Sequence, residues 1–200
     1  MIQLPLRPID VAFTPAVTAA QTRKGSRDMC ARLEMGDRVD DRLTAFIAAR
    51  DNFFLASASA EGQPYIQHRG GPPGFLQVID DRTLGFADFR GNRQFISTGN
   101  FSENPKAFVF LMDYAHRRRI KLWGRVRVVE DDPALIARLF PTGYRASADQ
   151  AMLFEISAWD VNCPQHIPQM IGAADVTAAL AERDARIASL EAELAALKAH

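Results

Sequence analysis

The stretch FFLASASAEGQPYIQHR, residues 53–69, decides the fold that we expect for this chain. Its two arms, 53–59 and 64–69, have the side-chain period of two that is typical of β-strands. Between them, residues 60–63 contain an acidic residue and a glycine, which favour a tight turn. The stretch therefore predicts an antiparallel β-hairpin.

Further strands follow at short intervals along the chain. Residues 75–79 and 83–88, separated by a turn that contains two aspartates, predict a second hairpin. Residues 107–113 and 119–130 predict a third hairpin, and residues 152–158 supply one more strand. Six or seven strands with few helices predict a mainly β fold, which is an antiparallel barrel or sandwich.

Helical patterns occur before the first strand and between the later hairpins. Residues 14–34 predict one or two short helices. Asp40 or Asp41 can cap a helix in which apolar side chains recur at three- and four-residue spacing and which ends near Arg50. Residues 94–104 and 132–140 predict two more short helices, the second opened by an aspartate and a proline. These helices are expected at the periphery of the strands.

The composition excludes several classes of protein. The 24 basic and 24 acidic residues give a formal net charge of zero, whereas a broad nucleic-acid binder would be basic overall. No apolar run approaches the roughly 20 residues that a membrane span needs, and the N-terminal segment lacks the pattern of a secretory signal. Cys30 and Cys163 form neither a disulfide pattern nor a zinc motif. These observations predict a cytoplasmic protein with no nucleic-acid partner, no membrane insertion and no metal site.

The sequence divides into three regions: a helical N-terminal extension over 1–39, one β domain over 40–172 and a C-terminal helix over 173–200. In the third region, only Arg183 interrupts the apolar residues at two heptad positions. Charges of opposite sign flank this seam and would attract one another between two parallel chains. The pattern predicts a homodimeric coiled coil, and an amphipathic helix packed on its own barrel is the alternative. The seam consists of Ala173, Leu180, Ile187 and Leu194 with Val176, Leu190 and Leu197.

The segment Arg90-Gly91-Asn92-Arg93 ends a predicted strand, turns through glycine and leads into a predicted helix. Glycine lets the backbone approach an anion closely, and the first N–H groups of a helix have no internal acceptor. Arg93 can donate a forked pair of hydrogen bonds to a phosphate, and Asn92 can donate to the phosphate or cap the helix. The segment predicts a phosphate site, and an ordinary solvated loop is the alternative because Gly-Asn is common in turns.

A second polar segment, QHRGGPPG over residues 67–74, follows the second strand of the first hairpin. Its glycines and prolines favour a thin, stiff wall against which a planar ring can lie. Gln67 and Arg69 fall on one face of their strand. A wide bulge or a long hairpin loop is the alternative interpretation.

Three segments in this order resemble the pyridoxamine 5′-phosphate oxidase-like family: residues 53–75, 84–114 and 117–132. The resemblance implies an FMN-binding split barrel of six to seven antiparallel strands over 40–172, present as a homodimer with flavin at the subunit interface. The chain lacks the C-terminal tryptophan, arginine and histidine segment with which the true oxidases hold substrate phosphate. Vitamin B6 oxidation is therefore disfavoured.

The resemblance also assigns cofactor-binding residues. Asn92 and Arg93 fall where family members contact the FMN phosphate, and Gln94 falls where a lysine often assists. Gln67 takes the place of a phosphate-binding arginine, so Arg69, or an arginine from a neighbouring element, is expected to supply the missing charge. The other expected cofactor contacts are His68, Ala87, Asp88, Ser97, Asn100 and Arg119. No catalytic acid or base is assigned.

The resemblance implies an FMN-dependent oxidoreductase that moves hydride or electrons between a reduced nicotinamide or small organic substrate and an acceptor. A positive charge near the ring, from Arg69, His68 or Arg119, would stabilise negative charge on reduced flavin. Two alternatives stay open: a non-catalytic flavin carrier or sensor, and a split barrel that holds deazaflavin F420 or haem.

Overall fold

The computed structural model of the chain describes residues 7–161 and 163–199. Residues 1–6, Asn162 and His200 lie outside the described residues. Residues 1–6 are the first part of the predicted N-terminal extension, and His200 is the last residue of the predicted coiled coil. The chain forms two compact units. One unit comprises the described residues up to Met112 together with Arg119–Cys163, and the other comprises Asp113–Arg118 and the described residues from Pro164 onward.

The first unit is built on a seven-stranded sheet in the order β2-β1-β5-β6-β7-β4-β3, whose described pairings are antiparallel. The fold is therefore mainly β, and the predicted antiparallel split barrel is confirmed. The strands are β1 (Asn52–Ala58), β2 (Pro64–Gly70), β3 (Gln77–Val78), β4 (Thr83–Phe89), β5 (Lys106–Asp113), β6 (Arg118–Val129) and β7 (Ala148–Val161).

Six short helices accompany the strands: α1 (Pro8–Ala12), α2 (Pro15–Arg23), α3 (Arg27–Cys30), α4 (Asp41–Ala48), α5 (Ile96–Glu103) and α6 (Pro133–Leu139). The aspartates before α4 and α6 cap them as their positions predicted. Asp40 accepts a hydrogen bond from the Leu43 amide at 2.7 Å, and Asp132 accepts one from the Leu135 amide at 2.8 Å. Each cap fixes the residue at which the chain changes from extended to helical backbone.

Strand β1 sorts its side chains between two faces of the sheet. Phe53 and Leu55 are fully buried in the core, so Phe54 lies on the opposite face. In the register of the sheet, Phe54 is directly across from Phe110 of β5 and from His68 of β2. Cross-strand partners share a face, and this side of the sheet therefore carries a row of rings.

We call this row the outer aromatic face and define it as Phe54, His68, Phe108, Phe110 and Trp123. Neighbouring rings pack edge to face. The ring centroids of Phe108 and Trp123 are 5.0 Å apart, and those of Phe54 and His68 are 5.6 Å apart. Each of the four Phe and Trp rings remains partly exposed, and His68 is exposed.

Two strands differ in length from the prediction. The strand expected over 75–79 is only Gln77–Val78, because the Phe75 amide donates to the carbonyl of Pro72 and closes a turn instead of joining a ladder. The strand expected over 152–158 runs from Ala148 to Val161. Its additional residues at the N-terminal end pair with the last residues of β4, which no local pattern indicates.

The second unit contains the turn Asp113–Arg118 and the C-terminal helix α7 (Ala173–Lys198). Gln169 donates its side-chain amide to the carbonyl of Ala115 at 2.9 Å, which ties the segment before the helix to that turn. No residue of α7 is buried. Among the described helices, none has both the length and the apolar character that crossing a lipid bilayer requires.

Candidate functional site

The loop between β4 and α5 has a strained, fixed backbone. Arg93 and Phe95 have φ of 59° and 52°, in the left-handed region that side chains other than glycine rarely occupy. Such conformations cost about 1–3 kcal/mol each, and they persist where the surrounding structure determines them. At the start of the loop, the Arg90 side chain donates to Asp149 at 2.9 Å. Within it, Asn92 Oδ1 accepts from the Gln94 amide at 3.3 Å. Asn92 therefore shapes the loop and does not cap the helix.

Helix α5 begins immediately after this loop with an open N-terminus. Its N-cap position is Phe95, which makes no side-chain capping bond. The N–H groups of the first turn therefore have no acceptor within the helix, and they attract anions together with the helix dipole. A small cavity of about 50 Å³ adjoins this turn. It is lined by Gln67, Arg69, Asp88, Phe89, Gly91, Asn92, Arg93, Gln94, Phe95, Ser97, Thr98 and Asp149.

Behind the loop, Arg69 of β2 forms an ion pair with Asp88 of β4. The two side chains are only 12% and 11% exposed, so the pair is largely shielded from water. Gln150 of β7 donates its side-chain amide to Asp88 at 2.8 Å and to the Thr98 hydroxyl at 2.8 Å. Strands β2 and β4 are not neighbours in the sheet. This polar group therefore joins the two sides of the split barrel.

Burial acts on both members of the ion pair. It raises the pKa of the Asp88 carboxyl above its ordinary value, and the attraction of Arg69 opposes this rise. Burial also lowers the pKa of the Arg69 guanidinium, again against the attraction of its partner. The ordinary arginine value is so high that Arg69 stays protonated at neutral pH. Much of its positive charge is thus already balanced by Asp88.

Two more hydrogen bonds attach α5 to the strands. The Ser97 hydroxyl donates to Gln67 of β2 at 3.2 Å, and the Asn100 amide donates to the Ser57 hydroxyl of β1 at 2.9 Å. Ser97 is buried, so its bond to Gln67 is shielded from water. These contacts hold the open helix terminus beside the end of β2.

The structure brings most of the predicted site residues together. Seven of them line the small cavity: Gln67, Arg69, Asp88, Asn92, Arg93, Gln94 and Ser97. Ala87 lines an adjoining cavity of about 140 Å³, which shares Arg69 and Asp88 with the first. Asn100 supports α5 and lines neither cavity.

The other two predicted residues, His68 and Arg119, do not line the small cavity. His68 also lines the adjoining cavity, but its ring contacts Phe54 on the outer aromatic face, away from Arg69. Arg119 alternates with the buried Ile120 and therefore lies on the outer side of β6.

Gly71 packs closely against Phe75 and Phe89, two rings that line the adjoining cavity. A side chain at this position would place its Cβ 2.7 Å from Phe75 Cγ and 2.9 Å from Phe89 Cε2, which is too close for any real contact. Only glycine lets the backbone pack against these two rings.

Sequence reasoning missed Gln150, Thr98 and Asp149. Gln150 and Asp149 lie in the part of β7 that has no strand-like pattern, and their roles depend on its pairing with β4. Thr98 is one of several hydroxyl residues in α5, and only its contact with Gln150 distinguishes it.

A larger cavity of about 630 Å³ lies elsewhere in the first unit, and none of the predicted site residues lines it. Its wall contains two arginines and two glutamates, Arg125, Arg127, Glu130 and Glu155, so its charge favours neither anions nor cations. Within the described residues, no group of three or more His, Cys, Asp or Glu side chains could hold a metal ion.

We predict that Arg69→Met lowers the free energy of unfolding by about 3–5 kcal/mol at neutral pH, because it leaves the Asp88 carboxylate buried without its partner. Because burial raises the pKa of Asp88, ionisation of this carboxyl opposes folding. The destabilisation by Arg69→Met should therefore become smaller as acidification protonates Asp88. Arg69→Met combined with Asp88→Asn should recover part of the stability and reduce the pH dependence. Urea unfolding at neutral and mildly acidic pH measures these effects, and an Arg69→Met variant as stable as the parent at neutral pH would contradict them.

Solved structures with the same fold are known. HupZ from Group A Streptococcus is similar at a TM-score of 0.51 and 14% identity, covering 66% of this chain and 99% of HupZ. An FMN-binding protein from Syntrophomonas wolfei subsp. wolfei gives a TM-score of 0.47 at 14% identity, covering 72% of this chain and 97% of that chain. A protein related to general stress protein 26, from Clostridium acetobutylicum, gives a TM-score of 0.47 at 12% identity, covering 69% of this chain and 99% of that chain. The similarity to HupZ, at 14% identity, concerns the fold alone.

Sequence comparison identifies the family. No curated protein matches the chain significantly. The sequence model described as pyridoxamine 5′-phosphate oxidase matches residues 39–163, which are more than half of the chain and include all seven strands and the loop before α5. The chain therefore belongs to the pyridoxamine 5′-phosphate oxidase family.

Proposed function

We propose that this protein binds FMN and acts as an FMN-dependent oxidoreductase, with the FMN phosphate in the small cavity beside α5. The observation that carries the proposal is the convergence of Arg93, the Asn92 loop and the open first turn of α5 on one small cavity. A strained loop, an uncapped helix and an exposed arginine together suit a phosphate.

The described residues fit such a ligand in a second respect. The Nε atom of Arg69 is buried and has no hydrogen-bond partner within the described structure. Arg69 lines both cavities, so a flavin bound there would lie beside this arginine. A buried N–H without an acceptor costs free energy, and a shift of the side chain toward an acceptor on the ligand would remove that cost.

The protein's own residues would position the cofactor. FMN, when bound, supplies the transfer of hydride or electrons. Arg93 and the first turn of α5 would hold the phosphate, and Asn92 would keep the loop in the shape that exposes these donors. Gly70 and Ala87, which line the adjoining cavity, would border the ring. Because Asp88 balances much of the charge on Arg69, this arginine would stabilise negative charge on the ring less than an unpaired one.

We also propose that the functional form is a homodimer joined through the outer aromatic face. The two cavities beside Arg69 are smaller than the roughly 300–1,000 Å³ typical of small-molecule sites, which supports a pocket completed by a second copy. Arg119 lies on this same outer side, and its Nε atom is buried without a hydrogen-bond partner in the described structure. Dimerisation would bring Arg119 of one copy to the flavin of the other. A partly exposed aromatic row supports this interface.

We expect the protein to bind FMN more tightly than riboflavin, because riboflavin lacks the phosphate. Arg93→Ala should weaken FMN binding roughly 10- to 100-fold, since it removes charge-assisted hydrogen bonds, and should leave riboflavin binding nearly unchanged. Titration monitored by flavin fluorescence measures both affinities. Arg42→Ala is the matched control, because Arg42 is an exposed arginine in α4.

Equal affinity for FMN and riboflavin would contradict binding of the FMN phosphate in the small cavity. The cofactor released from the purified protein should be FMN by mass spectrometry. Release of F420 or haem, or a protein that fails to bind added FMN, would overturn the assignment.

Turnover separates an oxidoreductase from a carrier. The FMN-loaded protein should be reduced by NADH or NADPH, or by a small organic donor, and reoxidised repeatedly by oxygen or another acceptor. Stopped-flow absorbance of the flavin follows both half-reactions. Stoichiometric flavin that these donors and acceptors do not cycle would favour the carrier or sensor.

The dimer is tested with Ile66→Asp, because Ile66 lies on the same side of β2 as His68 and is 65% exposed. Because residue 66 is exposed in the single chain, the aspartate should not disturb folding. In a dimer interface the same aspartate would be buried without a partner, which should prevent association. Ile187→Asp in α7 serves as the background that removes association through the C-terminal helix. In this background, light scattering should show a dimer, and adding Ile66→Asp should give monomers and weaken FMN binding.

Arg42→Asp in the same background should stay dimeric. A folded Ile66→Asp and Phe110→Asp double variant that remains dimeric would contradict an interface on the outer aromatic face.

A further inference from the structure

Helix α7 exposes an apolar seam along its whole length. Its 26 residues include six large aliphatic side chains that are 43% to 75% exposed, and none of its residues is buried. These side chains are Val176, Leu180, Ile187, Leu190, Leu194 and Leu197. Apolar surface of this extent marks an interaction site. The spacing of three and four residues confines it to one stripe.

The charges beside the seam identify what covers it. In two parallel helices in register, the residues on one flank of the seam face residues five positions later on the other helix. Arg186 then faces Glu191, and Glu193 faces Lys198, so both contacts are between opposite charges. In an antiparallel pair, Glu191 would face Asp184 and be repelled, whereas Arg186 would face Glu193 and be attracted, so the charges would give no net preference for this orientation. The charge pattern therefore fits a second copy of α7 in parallel.

The same charges are available for contacts between helices. Within one helix, Nη1 of Arg186 lies 3.9 Å from Oε1 of Glu193, and both side chains are more than 60% exposed. An exposed pair at this distance is weak and can exchange for partners on a second helix. Arg183 is the one seam position that is not apolar, and a charged seam residue reduces stability while restricting the register.

We propose that α7 pairs with α7 of a second copy as a parallel, in-register, two-stranded coiled coil. This contact is independent of flavin and of the outer aromatic face. It gives the protein a second self-association surface, which either reinforces one dimer or links two dimers.

Disulfide trapping in the full chain tests the orientation. Leu197→Cys is made in a chain that carries Cys30→Ser and Cys163→Ser, because seam residues of parallel helices meet their own counterparts. In a glutathione buffer, this variant should form a reducible cross-linked pair. Ala196→Cys, one residue away and off the seam, is the matched control and should cross-link far less.

Reversing the charge of Glu191 beside the seam should weaken association of parallel helices and strengthen association of antiparallel helices. Glu191→Lys places two like charges together in the parallel pair and should lower the cross-linked fraction of Leu197→Cys by roughly two- to fourfold. Adding Arg186→Glu should restore it. In an antiparallel pair, Glu191→Lys would instead attract Asp184 and strengthen association.

Each outcome decides the proposal. Cross-linking of Leu197→Cys with loss and rescue by the two charge changes supports it, whether the trapped species is a dimer or a tetramer by light scattering. Equal cross-linking of Ala196→Cys, strengthening by Glu191→Lys, or no cross-linking would overturn it. FMN affinity should be unchanged in all these variants, so this result is separate from that of the proposed function.

Discussion

The ion pair between Arg69 and Asp88 is the contact on which the site depends. It connects two strands that share no backbone ladder, so no row of main-chain hydrogen bonds holds these edges together. Gln150 and Thr98 extend the pair to β7 and to α5, and the amide of Gln150 donates to both neighbours. A buried pair is tolerated only when its remaining hydrogen-bonding groups are satisfied. The Nε atom of Arg69 is the exception, because it is buried without a hydrogen-bond partner in the described structure, while the residue lines the proposed flavin pocket.

The same pair sets the electrostatic character of the cavity. Two positions at which the family resemblance leads one to expect a positive charge hold Gln67 and Gln94. Arg69 does not simply replace that charge, because Asp88 balances much of it. Arg93 is consequently the cation most available to a ligand, together with backbone N–H groups whose partial charges do not titrate. Recognition of an anion here would rest on geometry more than on net charge.

Local signals made much of the fold predictable. The hairpin of β1 and β2 and the caps at Asp40 and Asp132 depend on residues close in sequence, and all were predicted. The short β3 was not, because a turn at Pro72 competes with the strand for the Phe75 amide. The start of β7 carries no strand-like pattern and was also missed.

The parts of the site that could not be predicted from sequence depend on contacts between residues that are distant along the chain. The loop before α5 and the shared face of Gln67 and Arg69 follow from local spacing, whereas the partnership of Arg69 with Asp88 depends on how the barrel closes. Arg119 lies on the outer side of β6, and its role in the site depends on the dimer that we propose. Local sequence gives the chemistry of a residue more readily than its partner.

The left-handed backbone at Arg93 and Phe95 has a consequence for ligand binding. The unfavourable conformation is imposed by folding, through the bonds of Arg90 to Asp149 and of Asn92 to the Gln94 amide. A ligand that arrives at this loop meets donors that are already arranged and loses little of its affinity to the ordering of the chain. Preorganisation of this kind lets a site with little net positive charge select a phosphate by shape, and its selectivity would be less sensitive to ionic strength than that of a flexible basic patch.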